Sequence, residues 1–311
     1  MKLADTLRHI DYNTLNISDY SRYYIIKLLP VLDYYLDICD QALKLSPNNI
    51  HTLVDYGGGH GFLSLLAKQR GIKNVIYIDY NPQASQTIRT LSTLLGFGPD
   101  TILTGDQNTL FEWTTKHQCI PDALIGIDVI EHIYRLDSFF DTLHLLNPQM
   151  SMVFSTASTP YNPFVKRRLK HYMLMDEYGY GDQEGFLQLR RNYIATLHPE
   201  FSESDLDQWA KETRGLIYDD ISAALQAPLT ALHSPIPFPN TCNPTTGSWT
   251  ERILPIKVYQ NLVSPQNLSL IKGFYNSHRH NFKGFVAQIL NLILRLPCTR
   301  WISPFIILKI K

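Results

Sequence analysis

The residues best spaced for chemistry in this 311-residue chain are Asp55-Tyr-Gly57-Gly-Gly59-His-Gly61. They sit between a strand-like run, residues 51–56, and a helix-like run, residues 62–70, which Gly71 stops. Glycines let a backbone pass tightly beneath a ligand and approach it closely. The N-terminus of the following helix offers unpaired N–H groups to an anionic or polar ligand. Asp79 ends the next apolar strand about twenty residues on, where a carboxylate can take a ribose diol. The plainer alternatives are a glycine-rich turn with no ligand and, for Asp79, a turn residue.

Two registers compete for the glycine loop. Gly59-His-Gly61-Phe-Leu-Ser64 approximates the dinucleotide pattern, with Ser where Gly or Ala belongs. The pattern Asp-x-Gly-x-Gly-x-Gly is filled without a gap by Asp55, Gly57, Gly59 and Gly61. An acidic residue at the strand end repels a pyrophosphate and suits a zwitterionic ligand that carries an ammonium group. This favours S-adenosylmethionine over NAD. An NAD-dependent oxidoreductase is the first alternative, and a non-catalytic cofactor-binding subunit the second.

Methyl transfer from a sulfonium is an in-line displacement, so the protein's main task is to position donor and acceptor. A hydroxyl acceptor also benefits from a general base, and imidazole titrates near neutrality. His132, next to Glu131 and just after the fourth strand-like run, is the candidate catalytic base. Its alternative is a structural histidine that pins the loop. His60, inside the glycine loop, is a second candidate. Glu131 and His132 are also metal-ligand types, but spacing shows no further ligand, so no metal site is assigned. Tyr161 and Asn162 are candidates for acceptor contact, with Tyr23, Tyr24, Trp249, Glu251 and Arg252 behind them.

The elements that must position these residues are legible as alternating runs. Strands are expected at 51–56, 74–79, 101–104, 122–128 and 151–156. Helices are expected at 62–70, 82–95, 107–116 and 134–146. Strands alternating with helices at short loop spacing indicate βαβ units and a parallel sheet. Residues 1–50 read as helical, with an apolar face that includes Tyr23 and Tyr24. After residue 158 the rhythm stops, and helices are expected at 163–175, 182–197 and 202–214, followed by a proline-rich connection over 235–246. A helix at 255–262, strands at 268–274 and 302–310 and an apolar helix at 281–296 complete the chain.

Composition narrows the class. Lys+Arg and Asp+Glu both total 28, which excludes a uniformly polycationic nucleic-acid coat. A hydrophobic share of 44% excludes global disorder. The neutrality is a cancellation, because residues 252–311 hold nine Lys/Arg and no Asp/Glu. Lys166-Arg-Arg-Leu-Lys170 is a second basic cluster. The apolar helix near the C-terminus is too short to span a bilayer. It is expected either to cover the sheet or, with its basic surroundings, to contact a membrane surface or a lipid-linked anionic substrate. The four widely spaced cysteines are expected to be buried thiols in a reducing compartment. With no apolar signal-like run near Met1, the expected location is cytoplasmic, with surface contact to membrane through the basic C-terminal region.

Val54-Asp-Tyr-Gly-Gly-Gly-His-Gly61, Ile78-Asp79, Thr104-Gly-Asp106 and Asp128-Val-Ile-Glu-His132 together resemble the ordered motifs of class I S-adenosylmethionine-dependent methyltransferases. The Asp-x-x-Glu-His signature is similar to that of ubiquinone-biosynthesis O-methyltransferases. The resemblance covers residues 50–157, and more faintly the final strand pair. It implies a Rossmann-like α/β fold with a seven-stranded, mostly parallel sheet, an antiparallel last strand and a helical insertion after strand five. It also implies roles. Gly57, Gly59 and Gly61 cradle the methionine and ribose, and Asp55 holds the loop and the amino end. Asp79 takes the ribose hydroxyls, with Tyr80 beside the adenine. Asp106 and Gln107 sit at the adenine amino group, although Asp106 equally fits a helix N-cap. Asp128 faces the methionine ammonium. Four parts are expected: a helical cap (1–50), a cofactor-binding core (51–157), a helical insertion that caps the substrate (158–247) and a C-terminal part of the core (248–311). The implied acceptor is a hydroxyl on a small-molecule, glycan or lipid-linked compound, with no nucleic acid.

Overall fold

The computed structural model describes residues 2–226, 237–263, 267–280 and 284–311. Seven strands form one sheet: β1 (Thr52–Tyr56), β2 (Asn74–Asp79), β3 (Thr101–Thr104), β4 (Ala123–Ile127), β5 (Ser151–Thr156), β6 (Leu268–Lys272) and β7 (Ile306–Ile310). Their order is β3-β2-β1-β4-β5-β7-β6. The first five are parallel, and β7 runs antiparallel between β5 and β6. The apolar runs of β1 and β4 are buried along their whole length, as strands covered on both faces must be. This is the seven-stranded sheet with an antiparallel last strand that the motif order implied.

The helices before and between these strands are α1 (Leu3–Arg8), α2 (Asp19–Leu28), α3 (Leu32–Leu45), α4 (Phe62–Gln69), α5 (Pro82–Leu95), α6 (Gln107–His117) and α7 (Leu136–Leu146). Local signals set their ends. Asn81 accepts from the Gln83 N–H, Pro82 opens α5, and Gly96 closes it in the left-handed conformation. Two compact units divide the chain. The first comprises Met1–Ile130, Leu136–Thr156 and Lys257–Lys311, and the second Glu131–Arg135 and Ala157–Ile256. In the first unit the core joins α3, α4 and the sheet through residues such as Leu36, Cys39, Leu53, Leu65, Ile125 and Val153. The Tyr34 ring meets Phe274 and Phe305 edge-on, which ties α3 to the C-terminal strands.

Several sequence expectations change here. Tyr23 and Tyr24 were expected on the apolar face, yet both are exposed; in α2 only Ser21 and Ile25 are buried. Cys39 and Cys242 are buried thiols, but Cys119 is only half-buried and Cys298 is exposed. β7 begins at Ile306 rather than 302, because Arg300–Ile302 forms a 3-10 turn. The expected start of the last helix at Asn281, the basic Lys283 and the first residues of the proline-rich connection lie outside the described residues.

The second unit is built on α8 (Pro163–Tyr178), α9 (Phe186–Leu197), α10 (Glu203–Glu212) and α11 (Tyr218–Ala224). Asn162 caps α8 by accepting from the Phe164 and Val165 N–H groups. Ser202 and Asp205 form the reciprocal capping box of α10. α9 starts at Phe186, not at 182, because Tyr180 and Gln183 pair in a tight bridge before it. α11 has no counterpart among the expected helices; at seven residues it is too short to show a helical period.

A fully buried ion pair fixes this unit. Arg190 of α9 donates to Glu177 of α8 through Nη2 at 2.6 Å and Nη1 at 3.3 Å, and through Nε to the Ala210 carbonyl at 2.9 Å. The Thr241 hydroxyl donates to Glu177 Oε2 at 2.6 Å. Glu177→Ala therefore leaves a buried guanidinium without its carboxylate. The expected cost is about 3–5 kcal/mol, read by denaturant unfolding; a loss below about 1 kcal/mol would show that the pair is not structural.

Candidate cofactor cradle and carboxylate–imidazole cluster

The glycine loop leaves β1 and enters α4 inside the first unit. Gly57, Gly59 and Gly61 have φ of +65°, +52° and +76°. Gly57 cannot be replaced without movement, since a Cβ there would stand 2.3 Å from Val129 Cγ2. A Cβ at Gly59 would meet nothing within 4 Å, so the backbone there is open to a close approach. The loop is held from below. The Tyr77 hydroxyl donates to the Gly59 carbonyl at 2.6 Å, and the Gly57 and Gly58 N–H groups both donate to the Ile78 carbonyl.

Asp55 is buried, and its Oδ2 accepts from the Ser64 N–H at 3.0 Å and the Ser64 hydroxyl at 2.6 Å. Burial pushes its carboxyl up to about 7, against these two bonds, which favour the carboxylate. The carboxylate thus fastens the first turn of α4 to the end of β1. Ser64, which spoils the dinucleotide register, is its partner.

Asp79 ends β2 and is also buried. Its Oδ2 accepts from the Gly59 N–H at 2.9 Å and its Oδ1 from the Asn81 N–H at 2.8 Å. Burial raises its pKa, and the two backbone bonds oppose that rise. Each oxygen keeps a further lone pair, so the carboxylate is oriented and still able to accept a diol.

The remaining cradle residues sit at the carboxyl ends of the strands. Tyr80 is exposed. Asp106 is the N-cap of α6, accepting from the Asn108 and Thr109 N–H groups at 3.0 and 3.2 Å. The capping alternative is therefore realised for Asp106. Gln107 Oε1 accepts from the Tyr56 hydroxyl at 3.2 Å, which leaves its amide nitrogen as a donor. Asp128 is exposed, has φ of +50°, and donates its N–H to the Ser155 carbonyl at 3.0 Å. A non-glycine residue in that region is uncommon and costs about 1–3 kcal/mol. His60, inside the glycine loop, has its imidazole pKa lowered to about 4 by burial.

An open loop backbone, an oriented carboxylate after β2, a polar pair at the start of α6 and an exposed carboxylate after β4 fit the parts of S-adenosylmethionine in the order of the strands. Every one of these groups belongs to the first unit.

The second constellation lies wholly in the second unit. Donor atoms of Glu131, His132 and Glu251 lie within 4.8 Å of one another. Glu131 is buried, and the other two are half-buried. His132 Nδ1 is 2.6 Å from the Trp249 carbonyl. A carbonyl only accepts, so Nδ1 carries the proton and Nε2 is the basic nitrogen of the neutral ring. The Trp249 N–H donates back to the His132 carbonyl at 3.2 Å. Arg252 Nη2 donates to the Ile133 carbonyl at 2.8 Å and its guanidinium lies 4.5 Å from the centre of the Trp249 ring. The Trp249 indole N–H donates to the Tyr134 carbonyl at 3.2 Å. Ser158 donates to Glu251 Oε2 at 2.9 Å, and Glu251 itself has φ of +50°.

Spacing showed no third ligand beside Glu131 and His132, because Glu251 is 119 residues from His132 and arrives only through the fold. Trp249, Glu251 and Arg252 are brought to this cluster. Asn162 spends its side chain on capping α8, and Tyr23 and Tyr24 belong to the other unit.

The seven-stranded sheet with its antiparallel β7 is that of a class I S-adenosylmethionine-dependent methyltransferase. The profile of methyltransferase-domain proteins matches residues 32–216, more than half of the chain, and the chain belongs to that family. S-adenosylmethionine is its cofactor, and the nicotinamide alternative is set aside. No curated protein sequence matches the chain. Among solved structures, it is similar to the PH0226 protein from Pyrococcus horikoshii OT3, at 19% identity over 55% of this chain and 71% of that one, with a TM-score of 0.33. A S-adenosylmethionine-dependent methyltransferase from Clostridium acetobutylicum ATCC 824 matches at 15% identity over 40% and 48% of the two chains, TM-score 0.31. A Haloferax volcanii complex of a methyltransferase with the Trm112 methyltransferase activator matches at 16% identity over 42% and 57%, TM-score 0.34. The chain spans about half the length of several of the solved structures it matches.

Proposed function

We propose that the protein methylates a hydroxyl group of a small-molecule, glycan or lipid-linked acceptor. The single observation that carries this reading is the fixed tautomer of His132, whose Nδ1–H is committed to the Trp249 carbonyl at 2.6 Å. With Nδ1–H donating to that carbonyl, Nε2 is the ring nitrogen left to act as the base. The bound cofactor supplies an electrophilic methyl group on its sulfonium. That methyl group would pass to the acceptor oxygen, and His132 Nε2 would take the hydroxyl proton. Asp79 accepts the ribose hydroxyls, Tyr80 lies beside the adenine, and Asp106 with Gln107 serves its amino group. Asp128 faces the ammonium, Gly57, Gly59 and Gly61 line the methionine and ribose, and Asp55 keeps the loop in place. The insertion, residues 158–247, carries acceptor specificity. The Asp128-Val-Ile-Glu-His132 signature supports the quinone-type O-methyltransferase subgroup. A cytoplasmic location, with contact at a membrane surface through the basic C-terminal region, belongs to the same reading.

A second reading of the His132 cluster is favoured by its geometry. Two carboxylates and an imidazole with donor atoms within 4.8 Å can hold a divalent cation that binds the acceptor oxygen. Methyl-labelled cofactor tested against pooled hydroxylated, amino and thiol compounds checks the proposal. Label recovered in an ether linkage supports it, and label only on nitrogen, sulfur or carbon overturns it. Turnover that survives chelation supports the base reading. Turnover lost to a chelator and restored by magnesium or manganese supports the cation.

A further inference from the structure

The last helix, α14 (Gly284–Leu294), belongs to the first unit and follows α12 (Ile256–Val263) and the short α13 (Ser277–His280) in the chain. It was expected either to cover the sheet or to reach a membrane surface. One face does bury Ala287 and Leu294. The opposite face carries Phe285, Ile289, Leu292, Ile293 and, just past the end, Leu296, spaced to form one stripe, and all are exposed. Phe285 is 58% and Leu292 62% exposed, and Trp301 beyond the helix is 57% exposed. Scattered exposed apolar residues are ordinary, but a contiguous stripe marks an interaction site.

The helix is firmly held while that stripe faces outward. Asn291 and Tyr275 exchange two hydrogen bonds at 2.7 and 2.9 Å. The Thr299 hydroxyl donates to the Ile293 and Leu296 carbonyls, and Lys272 donates to the Leu296 carbonyl. The stripe is therefore a fixed feature of the surface.

We infer that α14 is an in-plane anchor for an anionic phospholipid surface. Charge selects this occupant. Residues 257–311 hold eight Lys/Arg and no Asp/Glu, and α14 itself has no charged side chain. Arg295 and Arg300 follow the stripe directly, next to Trp301. An uncharged apolar face, cations at its end and an indole beside them suit the boundary between acyl chains and anionic headgroups. Eleven residues are too few to span a bilayer, and no helix among the described residues is long and apolar enough to do so. The inference deepens the membrane-surface contact of the reading above, and rests on the surface of α14 rather than on the reaction.

Flotation with phosphatidylcholine vesicles, with or without phosphatidylglycerol, tests it. The full chain is expected to bind the anionic vesicles at least about ten-fold more tightly than neutral ones, with a blue shift of tryptophan emission. Phe285→Ser with Leu292→Ser is expected to lower that binding at least about ten-fold while leaving S-adenosylhomocysteine affinity unchanged, which shows that the fold is intact. Arg295→Gln with Arg300→Gln is expected to remove the preference for anionic lipid. No binding by the unaltered chain, or equal binding by the serine variant, overturns the proposal. So does a concentration-dependent dimer that the serine variant dissolves without any vesicle binding, which would assign the stripe to a second copy.

Discussion

Asp79→Ala is expected to weaken S-adenosylhomocysteine binding by roughly 100-fold or more, because hydrogen bonds to a charged group contribute about 1.5–3 kcal/mol each and two ribose hydroxyls lose theirs. The structure adds a second cost. Asp79 Oδ2 holds the Gly59 N–H and Oδ1 the Asn81 N–H, so its removal also frees the glycine loop. Asp79→Asn keeps one accepting oxygen but loses the charge, and falls between the two. Titration calorimetry on the three proteins gives the ordering. Affinity of the alanine variant within about three-fold of the unaltered protein, well under one charge-assisted bond, would remove Asp79 from the cofactor site.

His132→Ala is expected to lower kcat by roughly 10²–10⁴-fold, the span general-base catalysis contributes, with cofactor affinity unchanged. A merely structural histidine would move stability or KM and leave kcat in place. The bond between Nδ1 and the Trp249 carbonyl offers an independent check, because it fixes which ring nitrogen carries the proton. Nitrogen chemical shifts that place the proton of the neutral ring on Nε2 would contradict the assigned role.

The candidate cofactor cradle was legible in the sequence because its parts are local. A strand, a glycine turn and a helix are contiguous, and each carboxylate stands at the end of a strand that its own apolar run announces. Asp55 is an instructive partial case. Its position at the loop was plain, but its burial and its bonds to Ser64 needed the packed structure. The sequence alternative for Asp106, an N-cap, is what α6 displays.

The second half was less legible for a physical reason. Glu251 joins Glu131 and His132 across more than a hundred residues, and only folding of the insertion closes that distance. The left-handed backbone at Glu251 leaves no mark on its residue type. Exposure was equally hidden. The apolar period of α14 announced a helix with a buried face, while the pattern could not say that Phe285 and Leu292 lie opposite Ala287 and Leu294. Tyr23 and Tyr24 fell to the same ambiguity, since aromatic residues at helical spacing serve a core or a surface equally well.

The central claim is that the loop Asp55–Gly61 and Asp79 build a site for S-adenosylmethionine. Calorimetric titration of the full chain with S-adenosylhomocysteine, set beside the same titration with NADH, tests it most directly. Saturable one-to-one binding of S-adenosylhomocysteine is expected, and none of NADH. No heat with S-adenosylhomocysteine, or saturable binding of NADH alone, would contradict it.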